Sequence, residues 1–392
     1  MSATTPPKRP CLVLVVTHYY GAHGGGIESV ADKLIHQLTT QGQFHFCWVA
    51  SDTDPGPEGP GLSVLPMRTL NWLERFLGIP WPLWGLGSLR RLKQAIATAD
   101  IVWLHDTLYP GNILAFRWAR QKKKPIVITQ HISPIPYRNR MMRKLMRVAD
   151  KLFTVKMLRQ ANQTLFISDH VAEDYYQRAG FTKPVKVIPN GVDLRLFYPP
   201  LAEKRHYLRQ KFALKADQPV LLFVGRFVEK KGMAVIRHLA GQLPDWRFWL
   251  AGRGPINPAK WLLPNVHVFK DRSEATLAEL YHTADLLVLP SYGEGFPLVI
   301  QEALACGLPV MCSPDTAAGS LGAKPLLHLA DVWPDDPLRT ANIWAGKLKN
   351  FPVRLPLTTS QYSLADFAQT QWDWRPIAEA YAGIFKEICS DL

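Results

Sequence analysis

Leu286-Leu-Val-Leu-Pro-Ser-Tyr-Gly-Glu-Gly-Phe-Pro-Leu-Val-Ile-Gln-Glu-Ala-Leu-Ala-Cys-Gly-Leu-Pro-Val310 decides how the chain reads. The apolar run at its start predicts a short buried strand. Pro297 suits a helix start, and Gly307 a position just past a helix end. Glu294 then falls on a strand-to-helix loop at the carboxyl edge of a sheet, and Glu302 inside the helix. Ligands of open α/β sheets bind at that edge. A helix N-terminus can hold a phosphate by its free amides while carboxylates grip hydroxyls, which points to a sugar nucleotide. The wide separation of the two glutamates does not suggest an acid/base couple. Their roles divide: the loop glutamate for a sugar, the helix glutamate for a ribose.

The same strand–loop–helix unit opens each half of the chain. Cys11–Val16 is an apolar strand, Thr17–Gly26 a glycine-bearing loop, and Ile27–Leu38 has helical apolar spacing. Val220–Gly225, Arg226–Gly232 and Met233–Leu243 repeat the pattern. Further apolar strands are expected at Ile101–Leu104, Pro125–Thr129, Gln163–Ile167, Val185–Ile188, Arg247–Ala251 and Val266–Phe269. Short apolar strands alternating with helices imply parallel sheets wound on both faces. The expected fold class is α/β, two Rossmann-like domains facing across a cleft. Residues 1–10, polar and Pro-rich, read as a disordered tail. The first domain is expected over 11–195 and the second over 196–375, joined where Tyr198-Pro-Pro-Leu201 interrupts the pattern.

Composition bounds the function. A hydrophobic share of 47% and a charged share of 20% are those of a globular protein, and 392 residues suffice for two cores. No run of 18 apolar residues is present, so no bilayer-spanning helix is expected. Of the net charge of +14, residues 1–200 hold +12, from 25 Lys+Arg against 13 Asp+Glu. That half expects an anionic partner: a membrane surface, a phosphate-bearing substrate or nucleic acid. The five cysteines form no CxxC pair, and Cys11 and Cys306 fall in apolar elements, so buried free thiols in a reducing compartment are expected.

Several constellations carry chemistry. Arg226 and Lys231 flank a loop at a strand's carboxyl end and can clamp a diphosphate leaving group, a planar fork beside a point charge. Alone they would read as a solvated basic turn; the Glu294 loop in the same domain favours the clamp. Gly24, Gly25 and Gly26 precede a helix and can aim amides at a phosphate or sugar, or form a plain flexible turn. His131 follows the strand Pro125–Thr129 and suits polar contact with substrate, although a lone His is more often structural. His105 and Asp106 follow Ile101–Leu104 likewise, and there the structural reading is preferred. Asp52-Thr-Asp54 resembles a metal-binding pair but reads as a surface turn, and no metal is assigned. Arg138–Arg159 carries eight basic residues with Met141, Leu145, Val148 and Leu152 at helical spacing. This is either a basic amphipathic helix on an anionic membrane or an ordinary surface helix. Leu70–Trp84 places three Trp among aliphatic residues, as at membrane interfaces or in a core.

Taken together these segments resemble the family 4 glycosyltransferases, retaining enzymes of the GT-B fold. The likeness rests on Val220–Ser313, the Gly25-Gly-Ile-Glu28 loop, Pro189-Asn-Gly-Val-Asp193 and the Glu-x7-Glu pair. It implies that His131 and Glu294 act on the donor sugar as the catalytic pair. It implies that Arg226 and Lys231 bind the diphosphate, helped by backbone amides in the segment Gly295, Phe296, Pro297 and Leu298. Glu302 would hold the ribose, and Gly25 and Gly26 would line the cleft. The first domain would take the acceptor, and a final helix within 376–392 would cross back onto it. No metal or cofactor is implied, since Arg226 and Lys231 neutralise the leaving group. The expected activity is transfer of a sugar from a UDP- or GDP-sugar to a glycan or lipid-linked acceptor for cell-surface polysaccharide or glycolipid. The expected location is cytoplasmic, peripheral at the inner membrane face. Two departures stand out: Lys270-Asp-Arg272 where a glycine is usual, and Pro314–Gly319 where Gly-Gly-x-x-Glu is usual. Base and sugar preference are expected to follow them. A sugar-nucleotide epimerase or glycan phosphorylase would use the same scaffold. A nucleic-acid-binding protein would fit pI ≈ 9.6, but no recognition motif supports it.

Overall fold

In a computed structural model, residues 9–70, 82–133, 140–215, 217–270, 272–352 and 359–391 are described. The chain forms two compact units: one contains residues up to Asn190 and from Trp374 onward, the other Gly191–Asp373.

The first unit runs β1 (Cys11–Val16), α1 (Gly26–Thr39), β2 (Phe44–Ser51), β3 (Leu62–Met67), β4 (Thr69–Leu70), β5 (Leu83–Trp84), α2 (Leu86–Thr98), β6 (Ile101–His105), α3 (Pro110–Gln121) and β7 (Ile126–Gln130). It continues with α4 (Arg140–Ala149), a π-helical turn (Asp150–Thr154), α5 (Val155–Gln160), β8 (Gln163–Phe166), α6 (Asp169–Ala179) and β9 (Lys186–Val187). The second unit holds α7 (Ala202–Lys211), β10 (Val220–Val224), α8 (Met233–Gln242), β11 (Arg247–Ala251), β12 (Val266–Phe269), α9 (Glu274–Thr283), β13 (Leu286–Leu289) and α10 (Leu298–Ala305). After these come β14 (Val310–Cys312), α11 (Pro314–Ala317), β15 (His328–Leu329), α12 (Pro337–Lys349) and α13 (Thr359–Trp372). Helix α14 (Trp374–Ser390) belongs to the first unit.

Both main sheets are parallel, and their strand orders explain where sites can form. The first is β3-β2-β1-β6-β7-β8-β9 and the second β12-β11-β10-β13-β14-β15. Each order reverses direction once, between β1 and β6 and between β10 and β13. Loops leave such a pair of neighbouring strands toward opposite faces, opening a crevice at their carboxyl ends. The strands themselves are fully buried runs such as Val13–Val16 and Val220–Phe223. Sequestering both faces of a sheet demands that continuity of apolar residues.

In the first unit, α14 packs Phe385 against Phe44, Phe46 and Trp103, with ring centroids 5.2–6.5 Å apart. Tyr381 lies beside them, its hydroxyl 3.4 Å from Thr129 Oγ1. The end of this helix returns beside the first residue of β1, where Cys11 and Cys389 form a disulfide. This corrects the expectation of free thiols for Cys11: a pairing across 378 residues is a tertiary adjacency that spacing cannot show. Cys306 and Cys312 are buried and free, and Cys47 is half-buried and free. Residues 1–8 of the expected tail lie outside the described residues, while Arg9 is tied to Asp100 at 2.8 Å. Most of the Trp-rich stretch, residues 71–81, also lies outside them.

Candidate active site

The carboxyl edges of β10 and β13 gather most of the predicted residues. Three glycines let backbone meet backbone there. A Cβ on Gly252 would sit 1.9 Å from the Gly225 carbonyl oxygen, and one on Gly232 2.2 Å from that of Pro290. Gly232 also has φ 76, a left-handed value that glycine alone adopts without penalty. On the other side, a Cβ on Gly319 would meet the Gly295 carbonyl oxygen at 2.1 Å. The Gly293–Phe296 loop is therefore backed by the main chain at Gly319, and the strand end before it, at Pro290, by that at Gly232.

Into this setting Glu294 brings its carboxylate. Lys231 Nζ lies 2.9 Å from Oε2 and Lys230 Nζ 3.8 Å from Oε1. Glu294 Oε1 is buried and has no hydrogen-bond partner among the described residues. Lys230 was not singled out from sequence; it reads as one more cation of a basic turn until the fold points it at Glu294. Burial pushes its ammonium down, Lys231 and Arg226 add to that, and Glu294 opposes it. Arg226 itself is exposed at the rim. Two lysines on one carboxylate, with Arg226 close enough to Lys230 to act on it, leave surplus positive charge, which an anionic ligand can neutralise.

The departure at Pro314–Gly319 has a structural role. Ser313 caps α11, and its hydroxyl donates to the Ser291 carbonyl at 3.1 Å. Asp315 Oδ2 accepts the Gly293 N–H at 3.1 Å. The segment thus holds the Glu294 loop. Gly295 and Phe296 are buried, Phe296 against Trp372 with ring centroids 5.7 Å apart. Pro297 then starts α10 and Leu298 is its first residue, with no side chain capping the first amides. Glu302 is the fifth residue of α10, at a half-buried position, and the Tyr281 hydroxyl donates to its Oε2 at 2.7 Å. In the second departure, the Arg272 guanidinium lies 5.4 Å from the Phe269 ring centroid, and Asp271 falls outside the described residues.

The first unit places its predicted residues on the loops after β1 and β7. Gly25 is the N-cap of α1, and a Cβ there would come 2.2 Å from Glu28 Oε2. Gly26 faces open space, so a Cβ meets a neighbour only at the former, where it would displace the end of the Glu28 side chain. Glu28 is buried, with Oε1 2.8 Å from His18 Nε2. Burial raises its carboxyl, but His18 outweighs this and holds the group below the usual value. His131 follows β7 and is buried; its Nε2 lies 3.0 Å from His105 Nδ1, and its backbone N–H donates to Asp106 Oδ1 at 2.6 Å. Burial pushes the His131 imidazole down to about 3, and that of His105 well below its ordinary value, so both rings are neutral. Asp106 has φ 61, and burial raises its carboxyl to about 7 although His131 and Ile132 donate to it. His105 and Asp106, read as structural from sequence, are the direct neighbours of His131. Only the side-by-side pairing of β6 and β7 could have revealed this. Asp52 and Asp54 do form a turn: Asp54 pairs with His23 at 2.7 Å and Asp52 accepts from Thr69.

Two parallel Rossmann-like units with glycine-lined crevices at their switch points define a nucleotide-binding type of architecture. A family model described as Glycosyltransferase Family 4 matches residues 24–196, and one described as Glycosyl transferases group 1 matches 204–320. The chain belongs to the family 4 glycosyltransferases. Among curated relatives, the D-inositol 3-phosphate glycosyltransferase of Xylanimonas cellulosilytica is 30% identical over 220 residues, covering 52% of this chain and 51% of the relative. The chain spans about half the length of the curated relatives it matches. Among solved structures, sucrose-phosphate synthase from Thermosynechococcus elongatus aligns over 97% of this chain and 100% of its own, with TM-score 0.73 and 18% identity. Anabaena HepE, solved with UDP and glucose, aligns over 95% and 99% with TM-score 0.70 and 18% identity. These two share the GT-B fold with this chain.

Proposed function

We propose that this protein transfers a sugar from a UDP- or GDP-sugar, with retention of anomeric configuration, to a glycan or lipid-linked acceptor. One observation carries the reading. Glu294 has Oε2 clamped by Lys231 at 2.9 Å, while its buried Oε1 lies 3.8 Å from the Lys230 ammonium, beyond hydrogen-bond distance. A buried acceptor of that kind costs about 1–3 kcal/mol if left unmet, and a sugar hydroxyl is the donor that meets it. Arg226, Lys230 and Lys231 supply the positive charge for a diphosphate, and the backbone N–H groups of Gly295, Phe296 and Leu298 add donors at a helix N-terminus.

The chemistry follows from where charge develops. As the bond from the anomeric carbon to the diphosphate oxygen breaks, negative charge grows on the leaving group, and the cations stabilise it most at that moment. The departing phosphate oxygen takes the proton of the acceptor hydroxyl, whose oxygen bonds to the anomeric carbon from the same face. In the first unit, His131 offers a neutral imidazole to a sugar hydroxyl, and Gly25 and Gly26 offer close backbone approach. Glu302 accepts from the ribose.

A lipid-linked acceptor is supported by α4 and the turn after it. Met141, Leu145, Val148 and Leu152 recur at helical spacing and are 78%, 59%, 50% and 58% exposed. Lys144, Arg147 and Lys151 flank them, also exposed. An apolar stripe bordered by lysine and arginine suits an anionic bilayer surface. Among the described residues no helix is long and apolar enough to cross a membrane. Changing Arg140, Arg143, Lys144 and Arg147 to Ser is expected to lower cosedimentation with anionic vesicles; unchanged sedimentation refutes the docking.

A thermal-shift screen over UDP- and GDP-sugars tests the donor, with UDP-glucose first because HepE was solved with UDP and glucose. A ligand at a hundred times its Kd adds about 2.7 kcal/mol, an easily read shift. Proton NMR of the product then reads the anomer. No shift with any donor, together with an inert Glu294→Ala substitution, refutes the reading.

A further inference from the structure

Glu302 is not an isolated carboxylate. Tyr281 projects from α9, its ring buried edge-on to Phe197 with centroids 5.6 Å apart at 86°. Its hydroxyl donates to Glu302 Oε2 at 2.7 Å, a charge-assisted length. Burial, then the neighbouring Glu302, raise this phenol well above its usual value, so it stays a proton donor at any physiological pH. Cys306, four residues on along the chain, shares this buried surface, and its thiol is raised first by burial and then by Glu302. The glutamate side chain is therefore laid against α9 with one oxygen committed.

Such a commitment matters because a glutamate has three side-chain torsions to fix before it can address a ligand. Two vicinal hydroxyls need a carboxylate plane held in one orientation. We propose that Tyr281 is a positioning residue: it locks the Glu302 carboxylate in the orientation in which it meets the 2′ and 3′ hydroxyls of the donor ribose. This rests on Glu302 being the ribose-binding residue of the site described above. It adds that preference for a ribonucleotide over a deoxyribonucleotide depends on a phenol that never touches the ligand. No bond is made or broken in this role.

The test compares UDP with 2′-deoxy-UDP, and GDP with 2′-deoxy-GDP, by calorimetric titration of the full chain. Wild-type protein, Tyr281→Phe and Glu302→Gln are each measured. Wild type is expected to prefer the ribonucleotide by about tenfold or more, the range of one hydrogen bond to a charged group. Tyr281→Phe keeps the ring and its packing; it is expected to cut that ratio by about three- to tenfold, with a smaller loss for the deoxynucleotide, which keeps only the 3′ hydroxyl. A general packing defect would instead weaken both nucleotides alike and lower the melting temperature, and that outcome overturns the proposal. So does an unchanged ratio in Tyr281→Phe when Glu302→Gln abolishes it, which leaves the donor-site reading standing. If no nucleoside diphosphate binds wild type, the donor-site reading falls and this proposal with it.

Discussion

Gly319→Ala isolates what the backbone packing around Glu294 does. The added Cβ would lie 2.1 Å from the Gly295 carbonyl oxygen and 2.8 Å from Phe296 Cβ. An ordinary contact begins near 3.4 Å, so the Gly295 peptide has to retreat by about 1 Å. Its neighbour Glu294 moves with it, away from the lysines that hold it. Overpacking of this kind costs about 1–3 kcal/mol. For a unit of this size each kcal/mol lowers the melting temperature by about 2–4 °C. Function should suffer more, since a 1 Å misplacement in a site can cost about a hundredfold in rate. The matched control is Gly346→Ala in α12, where nothing lies within 4 Å of the added Cβ. That substitution is expected to stabilise by about 0.5–1 kcal/mol through helix propensity and leave turnover unchanged. Differential scanning fluorimetry gives the first number, and kcat/KM with the donor identified by the screen gives the second. A Gly319→Ala protein with wild-type melting and wild-type kcat/KM would refute the idea that close backbone packing fixes the loop.

Other outcomes follow from the same geometry. Lys231→Ala removes the 2.9 Å partner of Glu294 and is expected to lower kcat/KM about a hundredfold; Lys231→Arg should recover part of it, and equal activity of all three proteins would argue against a clamp. Stability against pH separates the buried acid from the buried imidazoles. Asp106, raised from 3.8 to about 7, keeps a proton that the unfolded chain loses, so its contribution is present at low pH and fades as pH rises to about 7. His131, lowered from 6.5 to about 3, acts oppositely: its contribution is full above 6.5 and fades as pH falls toward 3. The two offset between about pH 4 and 6.5, so Asp106→Asn should make urea stability climb more steeply with pH across that window, and an unchanged slope would contradict the assignment. Finally, Cys11 and Cys389 should resist alkylation in the folded protein until a reductant is added, and reduction should lower the melting temperature; labelling of both thiols without reductant would disprove the pairing.

The strands that surfaced from sequence were those buried on both faces. Val220–Val224 and Leu286–Leu289 carry no polar residue, and the structure places both as central neighbours in one sheet. Phe44–Ser51 and Leu62–Met67 went unmarked. The first is interrupted by His45 and Cys47, half-exposed in alternation, and the second lies at the sheet edge with Ser63 and Val64 exposed. Helix α10 was bounded correctly because Pro297 and Gly307 punctuate it, the latter at φ 67. The candidate residues that sequence singles out sit on loops after apolar strands, as Glu294, Arg226 and His131 do. His105 and Asp106 sit on such a loop too and read as structural there, while nothing in their own neighbourhoods distinguishes Lys230 from surface charge or Tyr281 from core.

The sequence by itself determined the alternation of strand and helix, the two similar openings, and the loops on which charged residues would cluster. These are properties of short windows, set by which residues can be buried and which can turn. The tertiary structure alone decided the strand orders, and hence that crevices open between β1 and β6 and between β10 and β13. It also decided that Lys230 faces Glu294, that Tyr281 holds Glu302, and that Cys11 meets Cys389. Each of these is a contact between segments distant along the chain, whose proximity is fixed by sheet pairing and helix packing and by no local pattern of residues.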